Sequence, residues 1–409
     1  MNLPFFIARR YLLHQKGAFS AFIIRLAIVA TSLSVATMIL SMAFISGFKY
    51  EIREKLFSFW GHVHIIPYTP DASNIISPNP IKADKQLERQ VTATPHVINI
   101  APFAVRPAIV NVNKYMEGVQ LKGINTAYKL PSSVHFTGHW INFADSEYAK
   151  EIVLSETTAA RLDIHAGDDI VLYFLEPGAT FPRVRKVRVN GLYHTGMDEV
   201  DRDFGICDIR LLQRMNNWQA DDINGYQLTL DNDTYADTIA VDIFNKYLEA
   251  PLTTNTMQQI FPGVFDWLAF QDVNARIILI IMSIVAIINL AVALLILIVE
   301  QARMVGVLKA QGMQAGDIRK IFLYHAGLIA AIGIILGNII ALGICWLQQS
   351  TGFLTLPEAT YYVQQVPVRV IWWHPVAISL ATLVLCILCM WLPSLYIRRI
   401  QPAKVLQFK

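Results

Sequence analysis

Four groups of residues have the types and spacings from which chemistry is built. His62 and His64 stand two apart on an expected strand and share one face, a spacing able to hold a metal. No Cys or acidic residue stands beside them in sequence, so a structural or surface role is the better reading. His135 and His139 have helical spacing, but Gly138 between them predicts a loop. Asp198, Glu199, Asp201 and Asp203 form an acidic run suited to calcium, yet it lacks the glycine and terminal glutamate of an EF-hand, and a solvated loop is the default. Cys386 and Cys389 have a Cys-x-x-Cys spacing inside an apolar helix, where packing is expected rather than redox or metal chemistry. No Gly-x-x-x-x-Gly-Lys-Ser/Thr, His-Glu-x-x-His or Gly-x-Ser-x-Gly occurs. The expectation is a chain with no catalytic, cofactor-binding or metal residue of its own.

A fifth pattern suggests contact rather than catalysis. Glu300, Arg303, Gly306, Lys309 and Gly312 recur every third position between two apolar runs. On a helix they drift slowly around one side. This predicts a short basic helix held at a membrane surface and placed to receive force from a soluble partner.

The elements around it are those of a membrane protein. The chain of 409 residues is 54% hydrophobic and only 16% charged, with a mean hydropathy of +0.41; a soluble domain carries about 25% charged residues. Segments 26–46, 277–299, 321–347 and 375–397 contain no Lys, Arg, Asp or Glu and are long enough to cross a bilayer. The first is interrupted by Thr31, Ser32, Ser34, Thr37 and Ser41, which a helix tolerates because its backbone bonds are internal. Residues 1–25 hold Arg9, Arg10, Lys16 and Arg25 without an acid, and the tail 398–409 is likewise purely basic. Together with the basic loop 300–320, this places both termini and that loop on the cytoplasmic side. Region 47–276 then lies outside, with the short loop 348–374. It carries 28 of the 31 acidic residues and 21 of the 34 basic ones, a net charge of −7 that leaves +10 on the remainder. Such an asymmetry reads as a membrane-surface bias and not as a nucleic-acid footprint. The N-terminal apolar run is too long for a signal peptide, and residues 3–13 read as an interfacial amphipathic helix. The fold class expected is an α-helical membrane protein of four spans plus a large α+β outer domain.

In that outer domain, Phe48, Ile52 and Leu56 at steps of four predict that the first span continues outward as a stalk. Val63-His64-Ile65-Ile66 reads as an alternating strand. Residues 128–215 read as an inserted subdomain. There Ile152–Leu154 forms a strand, Ser155 caps a helix ending near Leu162, and residues 170–174 form a strand. Glu176 to Arg188 is a hairpin whose returning arm carries Arg183, Arg185, Lys186 and Arg188, either a solvated edge strand or a docking arm for a soluble partner. In the spans, Asn289, Asn338 and His325 are expected to face other helices, and Gly333 and Gly337 give a small-x-x-x-small face. Four spans are few for a self-contained transporter, so dimerisation is expected.

Four spans, a large domain between the first and second, and Glu-x-x-Arg-x-x-Gly-x-Leu-Lys-Ala-x-Gly at 300–312 resemble the FtsX/MacB-like ABC permeases. Further stretches narrow the resemblance to the lipoprotein-releasing LolC/LolE type. They are Phe5-Ile7-Ala8-Arg9-Arg10-Tyr11-Leu12, Gly47-Phe48, Ala101-Pro102-Phe103, Lys122-Gly123-Ile124, Gly191 to Asp201, and Tyr361-Tyr362 with Val366-Pro367-Val368. The resemblance runs end to end and implies a bacterial inner-membrane permease whose outer domain has MacB-like porter and sabre subdomains. It also implies a separate LolD-like cytoplasmic ATPase carrying ATP and Mg, with Gln301–Gln314 as the coupling helix in its groove, and a second permease copy or paralogue. The implied work is mechanotransmission: ATP hydrolysis on the partner extracts lipoproteins without passing them through the membrane. A substrate cavity between the first and second spans of the two subunits would be lined by Met38, Met42, Phe44 and Ile45, with Ile280, Ile284 and Ile287 opposite. Members that capture a periplasmic lipoprotein carrier use a long hairpin, whereas the one here is short. Two alternatives stay open: an ABC exporter of peptides or small amphiphiles, and a mechanotransmitting regulator of a cell-wall hydrolase.

Overall fold

The computed structural model describes residues 18–69, 80–112, 115–131, 134–144, 147–175, 181–357 and 361–394. The expected helix at 3–13, the loop at 176–180 and the basic tail 398–409 lie outside the described residues. In chain order, helix α1 (Ala18–Trp60) leads to β1 (Val63–Pro67), β2 (Ile81–Lys82), α2 (Lys85–Thr92), β3 (Val97–Val112) and β4 (Tyr115–Ile124). Next come β5 (His135–Gly138), β6 (Glu151–Ser155), α3 (Glu156–Leu162), β7 (Asp169–Phe174), β8 (Arg183–His194), α4 (Asp198–Asp201), β9 (Phe204–Asp208) and α5 (Ile209–Met215). The rest are β10 (Asp222–Ile223), β11 (Gly225–Leu230), α6 (Ala236–Tyr247), β12 (Leu252–Thr256), α7 (Met257–Ile260), α8 (Pro262–Glu300), α9 (Ala302–Ala310), α10 (Ala315–Thr351) and α11 (Trp373–Ser394). The chain forms two compact units: residues 50–268 with 356–364, and the remainder.

The helical unit holds residues 18–49 of α1, residues 269–300 of α8, and α9 to α11. By length and composition, α1, α8 and α10 are able to cross a membrane; α11 is apolar over the shorter stretch Trp373–Leu388. Several polar residues in these helices find partners nearby, although the buried hydroxyls of Thr31 and Ser32 have none among the described residues. Ser34 and Thr37 donate back to the carbonyls of Ala30 and Leu33, one turn earlier. Asn289 Nδ2 donates to Ala27 O at 3.2 Å, tying α8 to α1, and Asn338 Nδ2 donates to Ser379 Oγ at 2.8 Å, tying α10 to α11. Gly333 and Gly337 bring α10 against α1: a Cβ at Gly337 would lie 2.7 Å from Ser32 O, and one at Gly333 2.9 Å from Thr31 Cβ. Lys49 pairs with Asp272 at 2.7 Å where α1 and α8 leave their apolar segments.

The second unit is built on one large sheet of order β12-β1-β11-β3-β4-β9-β6-β8-β5. Its unexpected feature is closure. Strand β7 pairs antiparallel with both β3 (Ile109↔Tyr173) and β8 (Leu172↔Arg185), so β3-β4-β9-β6-β8-β7 form a ring. The long β3 serves both parts: residues 97–103 pair with β11 in the open sheet, and residues 104–112 with β4 in the ring. Its side chains alternate between two cores, with Ile100, Ala104, Ala108 and Val110 in one and Ala101, Phe103 and Val105 in the other. The strands of residues 128–215 share this sheet with β3 and β4.

Local expectations meet mixed outcomes. Ser155 caps α3, its Oγ accepting from Thr158 N at 3.0 Å, and α3 ends at Leu162 with Asp163 left-handed. Strand β1 is buried at every position, so its two faces do not alternate between core and solvent. His135–Gly138 is a strand, not a loop; Gly138 ends it at φ +100, and a Cβ there would meet Asn190 O at 2.6 Å. The acidic run is only partly a solvated loop. Its first part forms α4, and the buried Asp201 carboxylate accepts from Thr195 N, Thr195 Oγ1 (2.7 Å) and Gly196 N (2.8 Å), closing the turn before the helix, while Asp203 lies in an exposed turn beyond it. Among the described residues no cluster of His, Cys, Asp and Glu has a metal-holding arrangement.

Candidate functional site

The basic helix exists but is shorter than the three-residue periodicity suggested. α9 covers Ala302–Ala310, nine residues. Glu300 is the last residue of α8, and Gly312 lies beyond α9 at φ +90, where a non-glycine residue is strained. Gly312 thus ends the helix, with Met313 N bonding back to Leu308 O. Gly306 faces inward and is buried with Val305, which packs in the core of Ile298, Ile318 and Phe322. The burial of Gly306 places it in this chain's own packing. The exposed positions are Arg303, Val307 and Ala310, one face at intervals of four and three; Lys309 is half-buried on another side. Of the neighbouring cations, Arg319 stacks 4.7 Å from the Trp391 ring and donates to Trp391 O, and Lys320 pairs with Asp317.

Met38 and Met42 line a cavity of about 300 Å³ between α1, α8 and α11. The other walls are Leu279, Ser283, Trp373, His374, Ala377 and Ile378, with Ala381 and Thr382. Phe44 and Ile45 are half-buried outside it, as is Ile287. Ile280 and Ile284 are 59% and 49% exposed and lie one position round the helix from the lining residues Leu279 and Ser283. The contribution of α11 has no sequence signal, because its apolar residues carry neither charge nor a pattern that picks out the face lining the cavity.

The four hairpin cations divide between the two faces of β8. Arg183 and Arg185 share the side of buried Val187 and Val189, whereas Lys186 and Arg188 point outward. Each is engaged nearby: Arg183 with Asn217 Oδ1 (2.9 Å), Arg185 with Val184 O, Lys186 with Asp169 (2.8 Å), and Arg188 with Gly167 O. The Lys186 ammonium holds the Asp169 carboxyl below its usual range. No single basic face results. The stretch 183–187 is paired on one side only, by β7, so that part of the strand is an edge.

Strong electrostatic perturbation gathers instead where α1 ends. His64 is fully buried, its Nε2–H donating to Trp60 O at 2.7 Å, and burial lowers its pKa to about 3. His62 stacks on Phe57 and its Nδ1 accepts from Leu230 N; burial lowers it to about 4. These two imidazoles bond to backbone and do not form a metal pair. Their folded values lie below the ordinary 6.5, so their stabilisation is complete above pH 6.5 and is lost as pH falls toward 4 and 3. At pH 5 each costs about 2 kcal/mol relative to pH 7. His64→Gln keeps a donor for Trp60 O but does not titrate, so the melting temperature of the full chain should fall less between pH 7 and pH 5 than in wild type. Parallel falls would remove His64 as the cause.

Long helices with charge-free central stretches, a large sheet-bearing unit and a short basic helix between α8 and α10 are the parts from which a membrane permease is built. Residues 276–402 match the FtsX-like permease C-terminal domain and residues 26–243 the MacB-like periplasmic core domain. The chain belongs to the FtsX/MacB-like family and is an ABC permease subunit. It is similar to the lipoprotein-releasing system transmembrane protein LolC of Xylella fastidiosa, at 24% identity over 98% of both chains. It is equally similar to LolE of Haemophilus influenzae, at 24% identity over 99% of both. The periplasmic region of MacB from Actinobacillus actinomycetemcomitans aligns over 49% of this chain and 91% of that one, at 12% identity and a TM-score of 0.35.

Proposed function

We propose that this chain is one permease half of an inner-membrane ABC complex that extracts lipoproteins from the bilayer by mechanotransmission. The observation that carries the reading is end-to-end similarity to relatives named for lipoprotein release. In this reading α11 is the fourth span, both termini are cytoplasmic, and the outer unit divides into porter and sabre parts. A separate ATPase, which binds ATP and Mg, seats against the exposed Arg303 face of α9, and a second permease copy or paralogue completes the membrane portion. Continuity of α1 through 43 residues and of α8 through 39 supports transmission of motion along the helices and not passage of substrate through a pore. The cavity at Met38 and Met42 has the apolar, adaptable lining an acyl chain requires. Depletion of the chain should leave outer-membrane lipoproteins behind in the inner membrane, measured by membrane fractionation. A normal distribution after depletion would overturn the assignment.

A further inference from the structure

Lys122 is a fully buried lysine on β4. Its Nζ donates to Phe59 O, the carbonyl one residue before the end of α1. The same nitrogen lies 4.6 Å from the Phe59 ring centroid, 4.4 Å from Trp60 and 4.7 Å from Tyr128. Burial alone pushes the lysine pKa well down. Three ring faces and the negative end of a helix dipole act in the opposite direction, favouring the cation. In either protonation state the nitrogen is a donor aimed at a helix C-terminus, where carbonyls lack intrahelical partners. The next carbonyl, that of Trp60, is taken by His64 from β1. Gly61 then turns the chain at φ +73, with a Cβ there only 2.6 Å from Leu228 O. The last turn of α1 is therefore gripped through backbone atoms by side chains of two strands, inside a core that includes Leu56, Phe59, Trp60 and Tyr193. Strand β4 in turn is hydrogen-bonded to β3 and β9 in the closed ring.

We propose that Lys122 is the positioning residue that latches the end of α1 to the ring, so that displacement of α1 is delivered to the sheet instead of being lost in bending at residues 59–62. The inference rests on the lipoprotein-release reading for its functional arm, but its structural arm stands without it. Lys122→Met keeps an unbranched side chain of similar length and removes the donor and the charge. In the full-length chain, hydrogen exchange at residues 57–61 should accelerate about tenfold, while β6 and β9 exchange as in wild type. In the reconstituted complex, ATP-dependent lipoprotein release should fall about tenfold at an unchanged rate of ATP hydrolysis. A purely structural lysine would lower protection across the whole unit or leave hydrolysis and release in their wild-type ratio, and either result overturns the latch. If Lys122→Met does not accumulate, Tyr128→Leu, which removes one wall of the cage, should shift both readouts in the same direction by a smaller factor; no shift overturns the proposal. Failure of the wild-type complex to release lipoprotein would count against the release reading alone, with the exchange data still deciding the latch.

Discussion

Gly337→Leu is expected to prevent assembly of the helical unit, whereas Gly343→Leu, six residues further along α10, is expected to leave it folded. A Cβ at position 337 would sit 2.7 Å from Ser32 O and 2.9 Å from Val35 Cβ, both on α1, and a leucine adds three more carbons in that direction. A backbone carbonyl cannot swing aside as a flexible side chain does, so α1 and α10 must separate. Separation also pulls apart the contact of Thr31 with Gly333. Overpacking of a close-packed site costs about 1–3 kcal/mol when neighbours can adjust, and here the neighbour is helix backbone, so the upper end or beyond applies. At Gly343 nothing stands within 4 Å of the added carbon. The comparison is made by folded yield and melting temperature of the two variants in detergent. Equal melting would mean that the α1–α10 contact does not hold the unit together.

Arg303→Glu should remove the partner ATPase from the purified complex, with Lys309→Glu having a smaller effect. Arg303 shares the exposed face of α9 with Val307 and Ala310, whereas Lys309 lies on another side and is half-buried. A charge left at the solvent-exposed rim is worth about 0–1 kcal/mol. One desolvated against an acidic groove is worth about 2–5 kcal/mol, and reversing it adds repulsion. The seated-helix reading therefore expects association to weaken by roughly 30-fold or more, with release lost and the outer unit's melting unchanged. Wild-type ATPase co-purification and wild-type release in Arg303→Glu would sink the reading. The same exposed face carries the apolar Val307, 41% exposed.

What could be read in advance follows from the range of the interactions involved. Apolar, charge-free runs predict long helices because the bilayer criterion is local, and Ser155 predicts the start of α3 because a cap acts within three residues. The ring is another matter: β3 meets β7 across about sixty residues, and nothing in either strand names its partner. Periodicity misled at 300–312, since a repeat of three passes unbroken through a helix end, and only the positive φ of Gly312 reveals the break. The pocket at Met38 and Met42 lies within one chain and takes Leu279 and Ser283 from α8, one position or about 100° round from Ile280 and Ile284; an all-apolar helix does not fix by composition which of its faces lines a cavity. Nothing in the sequence sets Lys122 apart from the other lysines, because lysine is a surface residue unless a structure shows otherwise.

The ring has a consequence for what can attach to the outer unit. A strand that is paired on both sides has no backbone groups left to recruit an extended peptide. Within β3-β4-β9-β6-β8-β7 most positions are saturated in this way, and the sheet's terminal strands are the five-residue β12 and the four-residue β5. An extended polypeptide therefore finds few places in this unit to add a strand. A partner held by side chains and loops instead is let go without any sheet being unzipped.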